Sequence, residues 1–280
     1  MDLETLPTVA VLMTLYRRDR LDFFDEAMAS LAAQDYPPDR IHLFLAVDGP
    51  VPEAHEAALA KHAGRIFRLW RRPTNNGLAV ALNELLDQLG DESYLFRMDG
   101  DDIALPNRFR TQVEFMERHP KIDLVGANAN DIDETGAIVR PRQYPEKHDQ
   151  IVRVLAKLNP VLHPTYCIRG ATMRRDRVRY PDAFLTEDWA FLFAAVARGW
   201  RLHNVQETLL HWRTGEDFFL RRSGFRRGWQ EFRSASAGVF RIWGLSPKLV
   251  WPLIRFGFRL LPATLVRRAY RSNLRRNVIA

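Results

Sequence analysis

The 280-residue sequence predicts an α/β fold, with a mostly parallel central sheet covered by helices on both faces and a basic helical region at the C-terminus. Three observations carry that expectation. Short β-rich apolar runs alternate with helical patterns from residue 8 to residue 120. Acidic turns follow two of those runs, at Asp48 and at Asp99–Asp102. Open α/β sheets bind ligands at such places, beyond the carboxyl ends of their strands. The charge is also unevenly divided. Residues 221–280 hold 14 Lys and Arg against a single acid, Glu231, an excess of +13, whereas residues 1–220 sum to −6. The chain therefore divides into residues 1–220 and a basic region, 221–280. The mildly acidic first part argues against a nucleic-acid groove across it, so no nucleic-acid partner is expected.

TVAVLMTL (8–15) is apolar and rich in β-formers, and reads as a buried strand. LDFFDEAMASLAAQ (21–34) has helical apolar spacing and stops before Tyr36-Pro37-Pro38. IHLFLAV (41–47) is the next strand, ended by Asp48-Gly49-Pro50. PEAHEAALAKHAG (52–64) is a helix with Pro near its start and Gly at its end. RIFRLW (65–70), GLAVALNELLDQLG (77–90), SYLFRM (93–98) and PNRFRTQVEFMERHP (106–120) continue the alternation as strand, helix, strand and helix. IDLVGAN (122–128) and GAIVR (136–140) flank a turn-rich DIDET and read as a hairpin. Beyond residue 150 helices mix with short strands. The single cysteine, Cys167, excludes an internal disulfide and suits a reducing compartment. The N-terminus is acidic before its apolar run, unlike a secretory signal, so a cytoplasmic location is expected.

FRMDGDDIALP (96–106) sets three aspartates into four positions after a strand. Carboxylates that close repel one another, and a polar turn needs only one or two of them. A hard divalent cation, Mg²⁺ or Mn²⁺, accounts for the rest. It takes carboxylate oxygens, keeps coordination sites open for phosphate oxygens and offsets the repulsion.

Six stretches, in this order, resemble the inverting family 2 glycosyltransferases, which have the Rossmann-like GT-A fold. They are TVAVLMTLYRR, LAVDGP, NNGLAVALN, FRMDGDDIALPNRFRTQVEFMERHPKIDLVGAN, NPVLHPT and LTEDWAFLFAAVARG. The resemblance covers about residues 8–215 and implies transfer of a sugar from a nucleoside-diphosphate sugar, a UDP-sugar in first place. Carried over by position, Asp99 holds the donor ribose or the metal, Asp101 ligates the metal, and Asp102 is a further ligand or supports one. The backbone of Thr14, Leu15 and Tyr16 contacts the nucleoside. Asp48 reads the nucleobase, although the acid that usually precedes it is Val47 here. Arg213 reaches the diphosphate or is a solvated arginine.

In-line displacement at the anomeric carbon needs a base for the acceptor hydroxyl and stabilisation of the leaving diphosphate. Asp188, in Thr186-Glu187-Asp188-Trp189, is the expected base, although acids also favour helix N-termini. Glu187 orients the acceptor or caps the helix. His163, in NPVLHPT, touches the diphosphate, the metal or the acceptor, or is a structural loop residue. RRGWQ (226–230) lacks the Gln-x-x-Arg-Trp order of processive synthases, which favours single-sugar transfer.

In PKLVWPLIRFGFRLLPATLVRRAYRSNLRRN (247–277) the longest uncharged stretch is LLPATLV, far short of the roughly 20 apolar residues of a spanning helix. The composition fits an amphipathic element on an anionic membrane surface, with Trp243, Trp251, Phe256 and Phe258 at the acyl boundary. It equally fits a helix packed on the first domain with a solvated basic face. By resemblance, a saccharide or lipid-linked acceptor in bacterial surface polysaccharide or lipopolysaccharide synthesis is implied, at the inner face of the membrane. Two other classes compete. A nucleotidyl- or phosphoryl-transfer enzyme would use the same aspartates but want a Gly-rich, Lys-containing phosphate loop, which is absent. A non-catalytic membrane-binding protein leaves the acids unexplained.

Overall fold

The computed structural model describes residues 6–181, 183, 186–214 and 225–261. The basic run after residue 261 lies outside the described residues. The first half follows the alternation: β1 (Val9–Leu15), α1 (Leu21–Ala32), β2 (Ile41–Val47), α2 (Glu53–Lys61), β3 (Ile66–Arg71), α3 (Leu78–Leu86) and β4 (Tyr94–Arg97). A two-residue β5 (Ile103–Ala104) then leads into α4 (Arg108–Arg118). β6 (Leu124–Ile132) and β7 (Ile138–Arg142) form the expected antiparallel hairpin. α5 (His148–Leu155), β8 (Cys167–Arg169), α6 (Gly170–Asp176), α7 (Glu187–Ala197) and β9 (Leu202–Arg213) complete the sheet-bearing part. α8 (Phe225–Trp243) and α9 (Val250–Arg259) end the described chain.

The strands run β3-β2-β1-β4-β8-β6-β9-β5 across one sheet, with β7 added to β6. β1 to β4 are mutually parallel, as helical crossovers between successive strands require. The second half is mixed, because β8 runs antiparallel between β4 and β6. β1 shows why both faces are covered. Val9, Val11, Met13 and Leu15 point into one apolar cluster with α1, α2 and α4. Ala10 and Leu12 point into the other, with α3, α5 and α7. That two-residue period is the strand's own geometry. β3 is the free edge and exposes Phe67, Leu69 and Trp70, with Arg68 and Arg71 between and after them. Charged side chains on an edge discourage pairing with another chain.

β6 runs four residues past the strand end expected at Asn128. It is held there by β9 on one side, with Ile132 opposite Arg213, and by β7 on the other. Periodicity within residues 122–128 carries no trace of partners so far along the chain.

α8 and α9 join the domain rather than trailing from it. Ala235 and Val239 of α8 are buried in the same cluster as Trp189, Phe191 and Phe193 of α7. A Cβ on Gly238 would meet the Phe193 ring at 2.3 Å, so α8 approaches α7 as closely as a glycine allows. Glu231, the one acid of the basic region, is buried. It accepts hydrogen bonds of 2.7 Å from Arg255 Nε and 2.7 Å from Arg259 Nε, tying α8 to α9. Those two guanidinium groups outweigh the cost of burial and hold its carboxyl well below the usual range. Removing α9 would strip both partners from a buried charge, a change that typically costs about 3–5 kcal/mol.

Candidate active site

The end of β4 sets the aspartates. Met98 N still donates to Leu12 O at 3.2 Å, so the chain leaves the sheet only at Asp99. Asp99, Asp101 and Asp102 then each present a carboxylate oxygen, all within 4.8 Å of one another. Asp99 is paired with the guanidinium of Arg97, which lies under the loop with only 2% of its surface exposed. Asp102 is fully buried, and its Oδ1 accepts from Arg213 N at 2.8 Å. Its Oδ2 is buried with no partner. Asp101 faces the cavity.

The surrounding protein displaces water from Asp101 and raises its pKa, and the charge of Asp99 adds to that. Asp102 is pushed well above the usual range by burial, then by the charges of Asp101 and Asp99. Such carboxyls lack sufficient counter-charge. A hard divalent cation would restore their ionised form, and the orphaned Asp102 Oδ2 and the clustered oxygens fit one.

The remaining expected residues collect around the same space, a cavity of about 950 Å³. Thr14, Tyr16, Asp48, Asp99, Asp101, His163, Glu187, Asp188 and Arg213 all line it. Leu15 and Asp102 do not. The Leu15 side chain is buried in the core and its carbonyl accepts from Asp48 N at 2.8 Å. Tyr16 N donates to Asp19 Oδ2 at 2.8 Å.

Asp48 is committed within the protein. It pairs with buried Arg72 and accepts from Asn76 N at 3.2 Å and Gly77 N at 3.0 Å. It thereby pins the Asn75-Asn76-Gly77 turn that opens α3, where Gly77 takes a φ of +92°. Val47, in place of the usual second acid, is buried in the core. Arg213 is committed likewise. Its Nε donates to Asp101 O at 2.9 Å, its Nη1 to Asp133 O at 3.0 Å, and its Nη2 pairs with Glu26. It clamps the aspartate loop against the hairpin turn. His163 is buried, with Nε2 3.0 Å from the Tyr180 hydroxyl. Burial, followed by the nearby charge of Arg97, holds its ring neutral. It cannot offset a diphosphate by charge.

Asp188 stands in the first turn of α7. Its Oδ2 accepts from Asn159 Nδ2 at 2.7 Å and its Oδ1 from Trp189 N at 2.7 Å. Trp189 Nε1 in turn donates to Leu155 O at 2.8 Å. Thr186 makes no side-chain capping bond. Glu187 is pushed up by burial and then by the charge of Asp188. Two coupled carboxyls at one cavity are an acid-base arrangement.

Asn159 and Arg97 were not singled out by sequence reasoning. Asn159 opens the NPVLHPT stretch, so the motif marked its place. Arg97 sits inside FRMDGDD but reads as an ordinary strand residue until its burial is known.

A twisted sheet with an acid cluster at the end of β4 and a second acidic pair across one cavity defines a GT-A glycosyltransferase. Residues 10–178 match the model of the family described as glycosyl transferase family 2, and the chain belongs to that family. It is 33% identical over 276 residues to an uncharacterized glycosyltransferase of Haemophilus influenzae, covering 95% of this chain and 99% of the relative. It is 25% identical over 285 residues to the UDP-Gal:alpha-D-GlcNAc-diphosphoundecaprenol beta-1,3-galactosyltransferase of Escherichia coli, covering 96% of this chain and 98% of that one. Its fold is similar to S. aureus TarS 1-349 in complex with UDP-GlcNAc, with a TM-score of 0.69 and 16% identity over 96% of this chain and 77% of that one.

The Glu187–Asp188 coupling has a measurable sign. A neighbouring negative charge raises a carboxyl's pKa, so removing it lowers the pKa of the partner. Asp188→Asn is expected to lower the pKa of the Glu187 carboxyl, followed by NMR titration of its side chain. A Glu187 pKa that stays in place or rises contradicts the coupling.

Proposed function

We propose that the chain is a metal-dependent inverting glycosyltransferase moving one sugar from a nucleoside-diphosphate sugar, UDP-sugar first, to a hydroxyl of a lipid-linked saccharide in surface polysaccharide or lipopolysaccharide synthesis. The observation that carries this reading is that the aspartate cluster and the Glu187–Asp188 pair open into one cavity. Asp99, Asp101 and Asp102 hold the cation. Bound Mg²⁺ or Mn²⁺ stabilises charge on the leaving diphosphate. Buried Arg97 keeps Asp99 oriented toward the cluster, and Arg213 holds the loop from below. Thr14 and Tyr16 face the nucleoside. Asp48 shapes that end of the cavity through the Asn75–Gly77 turn.

Asp188 takes the proton of the attacking hydroxyl. Asn159 fixes the direction of its Oδ2, and Trp189 N holds Oδ1. Glu187 and His163 face the acceptor, Glu187 as a hydrogen-bonding group and His163 as a neutral ring. Inversion follows from one displacement with one base and no covalent intermediate.

The membrane reading rests on α8 and α9. They expose Phe225, Trp229, Phe240, Leu253 and Ile254, and their connection exposes Leu245, beside a basic surplus. No helix among the described residues is long and apolar enough to cross a membrane. A surface-bound enzyme fits both facts, with residues 1–220 carrying the chemistry and 221–280 meeting the lipid as well as packing on α7.

Asp188→Asn is expected to bind donor normally and to turn over at least about 100-fold slower, the usual scale for a lost base. The check is transfer and hydrolysis assayed over a panel of nucleotide sugars with Mg²⁺ or Mn²⁺. Lost donor affinity with unchanged kcat would assign Asp188 to binding instead. The full chain is expected to cosediment with vesicles containing anionic lipid, and salt is expected to weaken that binding in part. Absence of binding at low salt contradicts the membrane reading.

A further inference from the structure

The cavity is also lined by the segment after α5 and by α9. The end of α5 and that segment are tied to α7 and α9. Leu155 O accepts from Trp189 Nε1 at 2.8 Å, Lys157 O accepts from Arg255 Nη1 at 3.0 Å, and Asn159 Nδ2 donates to Asp188 Oδ2 at 2.7 Å. The Lys157 side chain lines the cavity, and its Nζ lies 4.7 Å from the centre of the Trp251 ring. Among the described residues it forms no ion pair with a carboxylate. The arginines beside it on α9 differ in this respect, since Arg255 and Arg259 both pair with Glu231, which offsets one of their two charges. A ring face holds an ammonium in place without cancelling its charge.

A second cation faces the same space. Arg142 of β7 stacks 4.5 Å over the Trp212 ring and pairs with Asp131. Its side chain is only 9% exposed, and its Nη2 is buried without a partner. Between these cations the wall is apolar, formed by Trp251, Ile254, Phe258 and Leu158. Cations beside an apolar wall fit a ligand that is anionic at one point and oily beyond it.

We propose that this half of the cavity binds a phosphate-linked acceptor, with Lys157 contacting the phosphate next to the acceptor sugar and the α9 wall receiving the start of its apolar chain. The inference rests on the transferase reading and deepens it. Lys157 and Asn159 are two residues apart, at most about 7 Å along the chain. In the proposed pose the acceptor hydroxyl meets Asp188 and the anomeric phosphate meets Lys157, both of which line this cavity. A lysine ammonium suits phosphate as a point charge.

The test uses the full chain with Mg²⁺ or Mn²⁺ and two matched acceptor series, undecyl glycosides and undecyl diphosphate glycosides of the same sugars. Wild-type protein is expected to favour the diphosphate series. Lys157→Gln is expected to raise KM for that series by about tenfold, as loss of one charged hydrogen bond implies. It should leave kcat, donor hydrolysis and KM for the phosphate-free series unchanged, and Lys157→Arg should restore most of the loss. Equal effects on both series, no effect on either, or a wild-type enzyme that hydrolyses donor yet shows no preference for diphosphate acceptors would overturn the inference and leave the transferase reading standing. Failure to hydrolyse any nucleotide sugar would instead remove the transferase reading itself.

Discussion

Three carboxylates confined within 4.8 Å of one another repel strongly, and much of the surrounding structure answers that repulsion. Arg97 is buried beneath the loop to face Asp99. Arg213 presents its backbone N–H to Asp102 and its side chain to the Asp101 carbonyl. The pairing of β9 with β6 brings Arg213 to that position from over a hundred residues away in sequence. These contacts reduce the repulsion without removing it, since Asp101 and Asp102 still hold protons more tightly than free carboxyls. A divalent cation would supply the charge that this loop lacks.

The same logic orders the other acidic pair of the cavity. Asp188 is placed by the first turn of α7, but its direction is set by Asn159 and its depth by Trp189. Arg255 lies 4.7 Å over the Trp189 ring while pairing with Glu231. A continuous set of contacts therefore joins Asp188 to α8 and α9. The C-terminal helices are part of the cavity wall, and a polar network of this kind rigidifies only when each member is satisfied.

Local chemistry was legible in the sequence and distant pairing was not. The parallel half of the sheet could be read because each strand and helix carries its own period, as IHLFLAV does at 41–47. The aspartates could be read because three acids in four positions have no packing use. The fate of Asp48 could not, since its partners Arg72 and Gly77 lie 24 and 29 residues away. Arg213 reads as a strand-end cation free to meet a ligand until its partners Glu26, Asp133 and Glu134 are seen. The 221–280 composition spoke of a membrane surface but not of Gly238 against Phe193, because close helix contact through a glycine leaves no periodic mark. Lys157 carried no signal, being one lysine in an ordinary loop.

The central claim is that the aspartate cluster is a metal site completed by the donor. Electron paramagnetic resonance of Mn²⁺ titrated into the protein with UDP present tests it most directly. The account predicts one bound Mn²⁺ per chain in the wild type and at least about tenfold weaker binding in Asp101→Asn, whose fold is unchanged because the substitution keeps the shape and removes the charge. Equal Mn²⁺ affinity in the two proteins, or no Mn²⁺ bound by wild type with UDP present, would contradict it.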